Sequence, residues 1–193
     1  MATRDAEEPG NPRARLTGGV YLLYFAAAIG ASLLSAPTLK PLQDFVNGLS
    51  FAVYALLALL FYNLFKPVNQ RLSLLAALVS VAGCVAGVLG LFHRLPPHVN
   101  PLFFFAPYCL LIGYLILGSK FLPRILGALM MLAGLGWLAF LVPALAKHLS
   151  LWIEALGIGA EGLLMLWLLA AGVNEQRWQK QEKARRKAVI RGQ

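Results

Sequence analysis

The chain has 193 residues, 59% of them apolar and 13% charged, with a mean hydropathy of +0.69. Soluble domains carry about 25% charged residues, so this composition excludes an ordinary soluble fold and points to a membrane. The net charge of +9 would suit nucleic acid in a soluble protein, but seven basic residues follow the last apolar stretch, where anionic lipid headgroups are the expected partner.

Residues 1–15 are polar, include Pro9, Gly10 and Pro12, and read as a flexible head. Six apolar stretches follow, at 16–36, 45–65, 72–93, 102–118, 125–146 and 151–173. Each approaches the ~20 residues that cross ~30 Å of hydrocarbon. The first resembles a signal peptide, with Arg13 and Arg15 before it and "SAP" after it. Its apolar core is longer than the ~7–15 residues of a signal sequence, so it reads as a retained helix.

The second stretch ends at "KPVNQR", where Pro67 cannot continue the helical ladder and Lys66 and Arg71 anchor the turn. The third carries Gly83 and Gly87 four apart, a spacing that lets a neighbouring helix approach closely. After "RLPPHVNP", the fourth opens on Phe103, Phe104 and Phe105, which suit an interfacial belt. "SKFLPR" turns the chain at Pro123, and the fifth places Gly127 and Gly134 on one face. The sixth leads into a basic tail at 174–193, expected to extend it as a solvated helix with Trp178 at headgroup level. The expected fold is all-α: a polytopic bundle of six transmembrane helices over residues 16–173.

Sorted by alternate sides, 14 of the 17 Lys and Arg residues fall on one side and three on the other. Translocating Lys and Arg is costly, so both termini are expected in the cytoplasm. Depth then sorts the polar residues. Glu154 and Glu161 are the only acids inside the stretches, and seven residues places them on one helical face. Glu154 falls near the outer boundary and is expected to reach headgroups or water. Glu161 falls near the midplane, where a carboxylate costs ~2.5–3.5 kcal/mol on insertion scales. No Lys or Arg lies at that depth, so a protonated, hydrogen-bonding Glu is expected. Its expected partners are Tyr24, Tyr54, Ser80 and Tyr108, all within about two turns of the midplane. This cluster reads either as a ligand or proton site or as structural hydrogen bonding between helices.

His93, His98 and His148 gather on the expected outer side, a weak alternative as a metal set, because a spacing of five matches no standard helical ligand pair. No cofactor is implied. Cys84 and Cys109 lie inside apolar stretches and read as small hydrophobes. In the tail, Arg177, Lys180, Lys183, Arg185, Arg186 and Lys187 are the expected lipid-headgroup residues. The aromatic interleaving of a nucleic-acid module is missing.

Three stretches carry a family resemblance: "LFYNLFKPVNQRLSLLAAL" (60–78), "PYCLLIGYLILGSKFLPRILGALMMLAGLGW" (107–137) and "AEGLLMLWLLAAGV" (160–173). In this order they resemble a bacterial membrane family known as domain-of-unknown-function 4386. The resemblance implies a six-helix bacterial inner-membrane protein and no activity. It places the Glu of the closing pattern at Glu161. Tyr108 stands near a position where the family carries His, which counts against carrying over a metal.

Two function classes follow. One is small-molecule or proton transport or sensing around Glu161. The other is a non-catalytic accessory or scaffold subunit, packing through Gly83, Gly87, Gly127 and Gly134 in a homo- or hetero-oligomer. An enzyme is disfavoured, since no complete catalytic set is visible.

Overall fold

The computed structural model describes residues 12–94, 102–141 and 143–191. Over these residues the chain is entirely helical: α1 (Pro12–Leu33), α2 (Lys40–Phe65), α3 (Gln70–Leu91), α4 (Leu102–Gly118), α5 (Arg124–Leu138), α6 (Pro143–Ala170) and α7 (Glu175–Arg191). Short 3-10 turns at Pro37–Leu39 and Ala139–Leu141 lead into α2 and α6. The head at 1–11 lies outside the described residues.

Local chemistry sets the boundaries. After α2 the chain turns at Pro67, and Asn69 caps α3 by accepting the Leu72 N–H at 3.1 Å. Pro123 sits in extended geometry immediately before α5. The fifth apolar stretch, expected to run to 146, instead ends as a helix at Leu138. Pro143 explains the difference: it lacks the N–H that α5 would need, but fits the first turn of α6, which therefore begins well before 151.

Among the described residues, four helical segments are long and apolar enough to cross a membrane: Pro12–Leu33, Pro37–Phe65, Gln70–Leu91 and His148–Ala170. Phe103–Gly118 and Arg124–Leu138 are shorter apolar helices. The 15 residues of α5 span about 22 Å at ~1.5 Å each, short of the hydrocarbon thickness.

Each of α1 to α6 packs against the next in sequence, and α6 returns to α1, closing a ring. Tyr21, Phe61, Phe65, Tyr108, Ile112, Met130 and Leu164 fill its interior. Outward positions are also apolar, with Leu22, Leu23, Leu56, Leu59, Leu78, Leu132, Leu135, Leu163 and Leu166 exposed. Water would penalise so large an apolar exterior, whereas hydrocarbon accepts it. The tightest seam joins α4 to α5. A methyl group added at Gly127 would lie 2.8 Å from the Gly113 carbonyl oxygen, so two backbones meet there with no side chain between them.

The tail corrects a further expectation. The long helix does not continue: Gly172 adopts φ 66°, a left-handed conformation glycine accepts, and the chain reverses. Asn174 caps α7 through the Arg177 N–H at 3.0 Å. α7 then folds back across the turns at one end of the bundle, called the basic end below. The Trp178 indole N–H donates to the Leu64 carbonyl at 2.9 Å, and Arg185 Nη1 donates to Gln70 Oε1 at 2.9 Å. Trp178 thus packs against the bundle core as well as lying near its end.

Candidate functional site

A cavity of about 460 Å³ lies inside the ring, and every one of its six helices contributes to the wall. Tyr24, Ile29 and Ser32 come from α1, Phe51 and Tyr54 from α2, and Ser80 and Cys84 from α3. Phe105 and Tyr108 come from α4, Trp137 from α5, and Gly157, Ile158 and Glu161 from α6. The five residues that sequence depth grouped, Glu161, Tyr24, Tyr54, Ser80 and Tyr108, all face this one space.

Glu161 is 4% exposed and supplies the only carboxyl in the wall, which contains no Lys or Arg. The Tyr54 hydroxyl donates to Glu161 Oε1 at 3.5 Å. That is long against the ~2.5–3.0 Å of a good O–H···O bond. An aromatic chain surrounds it. Tyr24 and Tyr54 have ring centroids 4.6 Å apart, Tyr54 and Tyr108 5.8 Å, and Phe105 and Trp137 5.3 Å.

Among the residues not anticipated here, Tyr21 and Trp137 bear most on the carboxyl and its surroundings. Tyr21 is fully buried one turn along α1 from Tyr24, and its hydroxyl is a second hydrogen-bonding neighbour of the Glu161 carboxyl. Its three-residue offset from Tyr24 was the available signal, since i and i+3 share a face. Trp137 was hidden because its depth depends on where α5 ends. Besides Glu175 Oε2 on α7, buried side-chain atoms left without a hydrogen-bond partner among the described residues include Ser80 Oγ and Trp137 Nε1, both on residues of the cavity wall. Orphans of this kind are rare in folded chains.

Glu154 and Glu161 share a face by register, yet Glu154 is exposed. Neighbouring helices cover α6 less toward its start, where Leu151 and Trp152 are both 73% exposed. The four glycines lie at contacts inside the chain: Gly83 against Phe104, Gly87 against Phe51, Gly127 against Gly113 and Leu117, and Gly134 against Leu110. His93 and His148 are exposed, and His98 lies outside the described residues. Among the described residues, no group of three His, Cys, Asp or Glu side chains could hold a metal.

On α7, Arg177, Lys180, Lys183, Arg186 and Lys187 are exposed. Arg185 is committed elsewhere: its Nε and Nη2 donate to the two oxygens of Glu182 at 2.9 and 2.8 Å. With Arg186 Nε adding a bond at 2.9 Å, these hydrogen bonds draw the Glu182 carboxyl down to about 2.

The family model described as "Domain of unknown function (DUF4386)" matches residues 92–172. The match spans α4 to α6 and includes Tyr108, Trp137 and Glu161, supporting the resemblance seen at 107–137 and at most of 160–173. The stretch at 60–78 lies outside it. Comparison with curated proteins and with solved structures finds no match.

Proposed function

We propose that the chain is a six-span protein of the bacterial inner membrane, with both termini cytoplasmic, that binds a small molecule or exchanges protons at Glu161 in transport or sensing. One observation carries this reading: polar residues scattered over the sequence converge on a single cavity that holds one carboxyl and no cation. The closed ring supports counting α4 and α5 as spans, because both occupy full places in it beside longer neighbours.

The basic end would face the cytoplasm, with Lys180, Lys183, Arg186 and Lys187 toward anionic headgroups at roughly 1 kcal/mol each. The accessory-subunit reading is the weaker one, because the four glycines it would present to a partner are already spent on contacts within the chain.

The test uses the native thiols. Cys84 faces the cavity, whereas Cys109 is fully buried outside its wall and serves as an internal control. Membrane-permeant methylmercury, which displaces the proton of a neutral thiol, should modify Cys84 and spare Cys109, and Ile158→Trp at the wall should slow the reaction about tenfold. If Cys84 is as inert as Cys109, the interior is sealed and the binding reading fails.

A further inference from the structure

The chemistry of the cavity wall narrows what enters it, on the premise that the cavity is the functional site. Of all the wall residues, only Ile29 and Ser32 on α1 and Ile158 on α6 are exposed. These helices are neighbours in the ring, so the mouth lies along their seam. Toward the basic end the seam is shut: a methyl group added at Gly18 would lie 2.8 Å from the Leu169 backbone nitrogen. At the other end the flanks are apolar, with Ile29 56%, Leu33 77% and Ile158 60% exposed. Apart from Ser32 the opening is framed by apolar residues and lies close to the α1 C-terminus, so the occupant enters along this lipid-facing seam near the boundary opposite the basic end.

The volume of about 460 Å³ matches a molecule of drug size, for which pockets run ~300–1,000 Å³. Deep in the cavity, Glu161 is the one carboxyl of the wall, and loss of its proton leaves a negative charge that no wall cation neutralises. Around it stand the rings of Tyr24, Tyr54, Phe105 and Tyr108, whose faces attract a cation brought within ~6 Å. Carboxylate and aromatic faces together select positive charge, while the mouth and upper wall select an apolar body.

We propose that the cavity binds a lipophilic monocation, a substituted ammonium with apolar arms, admitted laterally between α1 and α6. As the ammonium enters, Glu161 releases its proton to water and pairs as the carboxylate among the rings, while the arms fill the space up to Ile29 and Ile158.

The test is equilibrium binding of tritiated benzyltributylammonium to the full chain in lipid nanodiscs. Its uncharged isostere, with carbon in place of nitrogen, serves as the competitor. The proposal expects saturable binding of the cation, displaced by the isostere only at about tenfold or higher concentration. Glu161→Gln should weaken the cation about tenfold or more and leave the isostere unchanged. Phe105→Leu, which removes a ring and no charge, should weaken the cation about threefold and serves if Glu161→Gln does not fold. An isostere that binds as tightly as the cation, or a cation that ignores both substitutions, overturns the proposal. Cys84 reactivity separates the two failures: a modified Cys84 with no preference for the cation leaves the site standing and removes only the ligand class.

Discussion

Tyr54 on α2 and Glu161 on α6, 107 residues apart in sequence, meet at 3.5 Å between the phenol oxygen and Oε1. Both side chains are buried, at 5% and 4% exposure, so the contact is shielded from the lipid around the bundle. Its length matters as much as its existence. It is long for an O–H···O bond, and the Tyr21 hydroxyl is a second neighbour of the same carboxyl.

Tyr54→Phe should therefore cost little stability, under about 1 kcal/mol, because a loose bond between neutral partners contributes little net free energy. Chemical denaturation in detergent measures this. A loss of about 3 kcal/mol would mean that the hydroxyl is a structural tie.

The glycines divide by what surrounds them. Gly127→Val places its Cβ 2.8 Å from the Gly113 carbonyl oxygen and must push α4 from α5, destabilising the protein by about 1–3 kcal/mol or more. Gly159 meets nothing within 4 Å, so Gly159→Ala should be neutral or stabilising by up to about 1 kcal/mol. The same denaturation measurement compares the two, and equal effects would contradict the packing described for α4 and α5.

The α7 helix, and through Arg185 its contact with Gln70, should weaken in acid. The hydrogen bonds from Arg185 and Arg186 hold the Glu182 carboxyl down near 2, below the ~4.3 of a free Glu. A depressed folded value means that stability is fully present above the unfolded value and lost as pH falls through the folded one. The window is therefore about pH 4 down to about 2. Trp178 emission, read against a Trp178→Phe control, should change across that window in the parent, and Glu182→Gln should remove the change.

Trp178→Phe removes the indole N–H that bonds Leu64 at 2.9 Å, loosening α7 by about 1 kcal/mol. Trypsin should then cut at Lys180 and Lys183 several-fold faster while the bundle stays intact. Unchanged cleavage would mean that α7 is held by its other bonds.

Depth along the apolar stretches was legible in the sequence, because charge asymmetry and the length of a span fix where each polar residue falls. That was enough to group Glu161 with Tyr24, Tyr54, Ser80 and Tyr108. Rotation about each helix axis was less accessible, so Tyr21 was missed although it lies one turn from Tyr24. Glu154 shows the complementary difficulty: register places it with Glu161, but only neighbouring helices decide which is covered. Pro143 and Gly172 carried the two redirected boundaries. Apolar content ran straight through both, and backbone chemistry at a single residue outweighed it. The return of α7 depends on long-range bonds to Leu64 and Gln70, which no local pattern encodes.

The central claim is that the Glu161 carboxyl exchanges protons or ligand through an accessible cavity. Infrared difference spectra of the protein in nanodiscs, recorded across the pH range in which it stays folded, read this carboxyl directly. A protonated-carboxyl carbonyl band should rise and fall with pH in the parent and be missing in Glu161→Gln, with the helical amide signal unchanged. A band that belongs to Glu161 but never responds to pH would show a sealed, structural carboxyl and contradict the account.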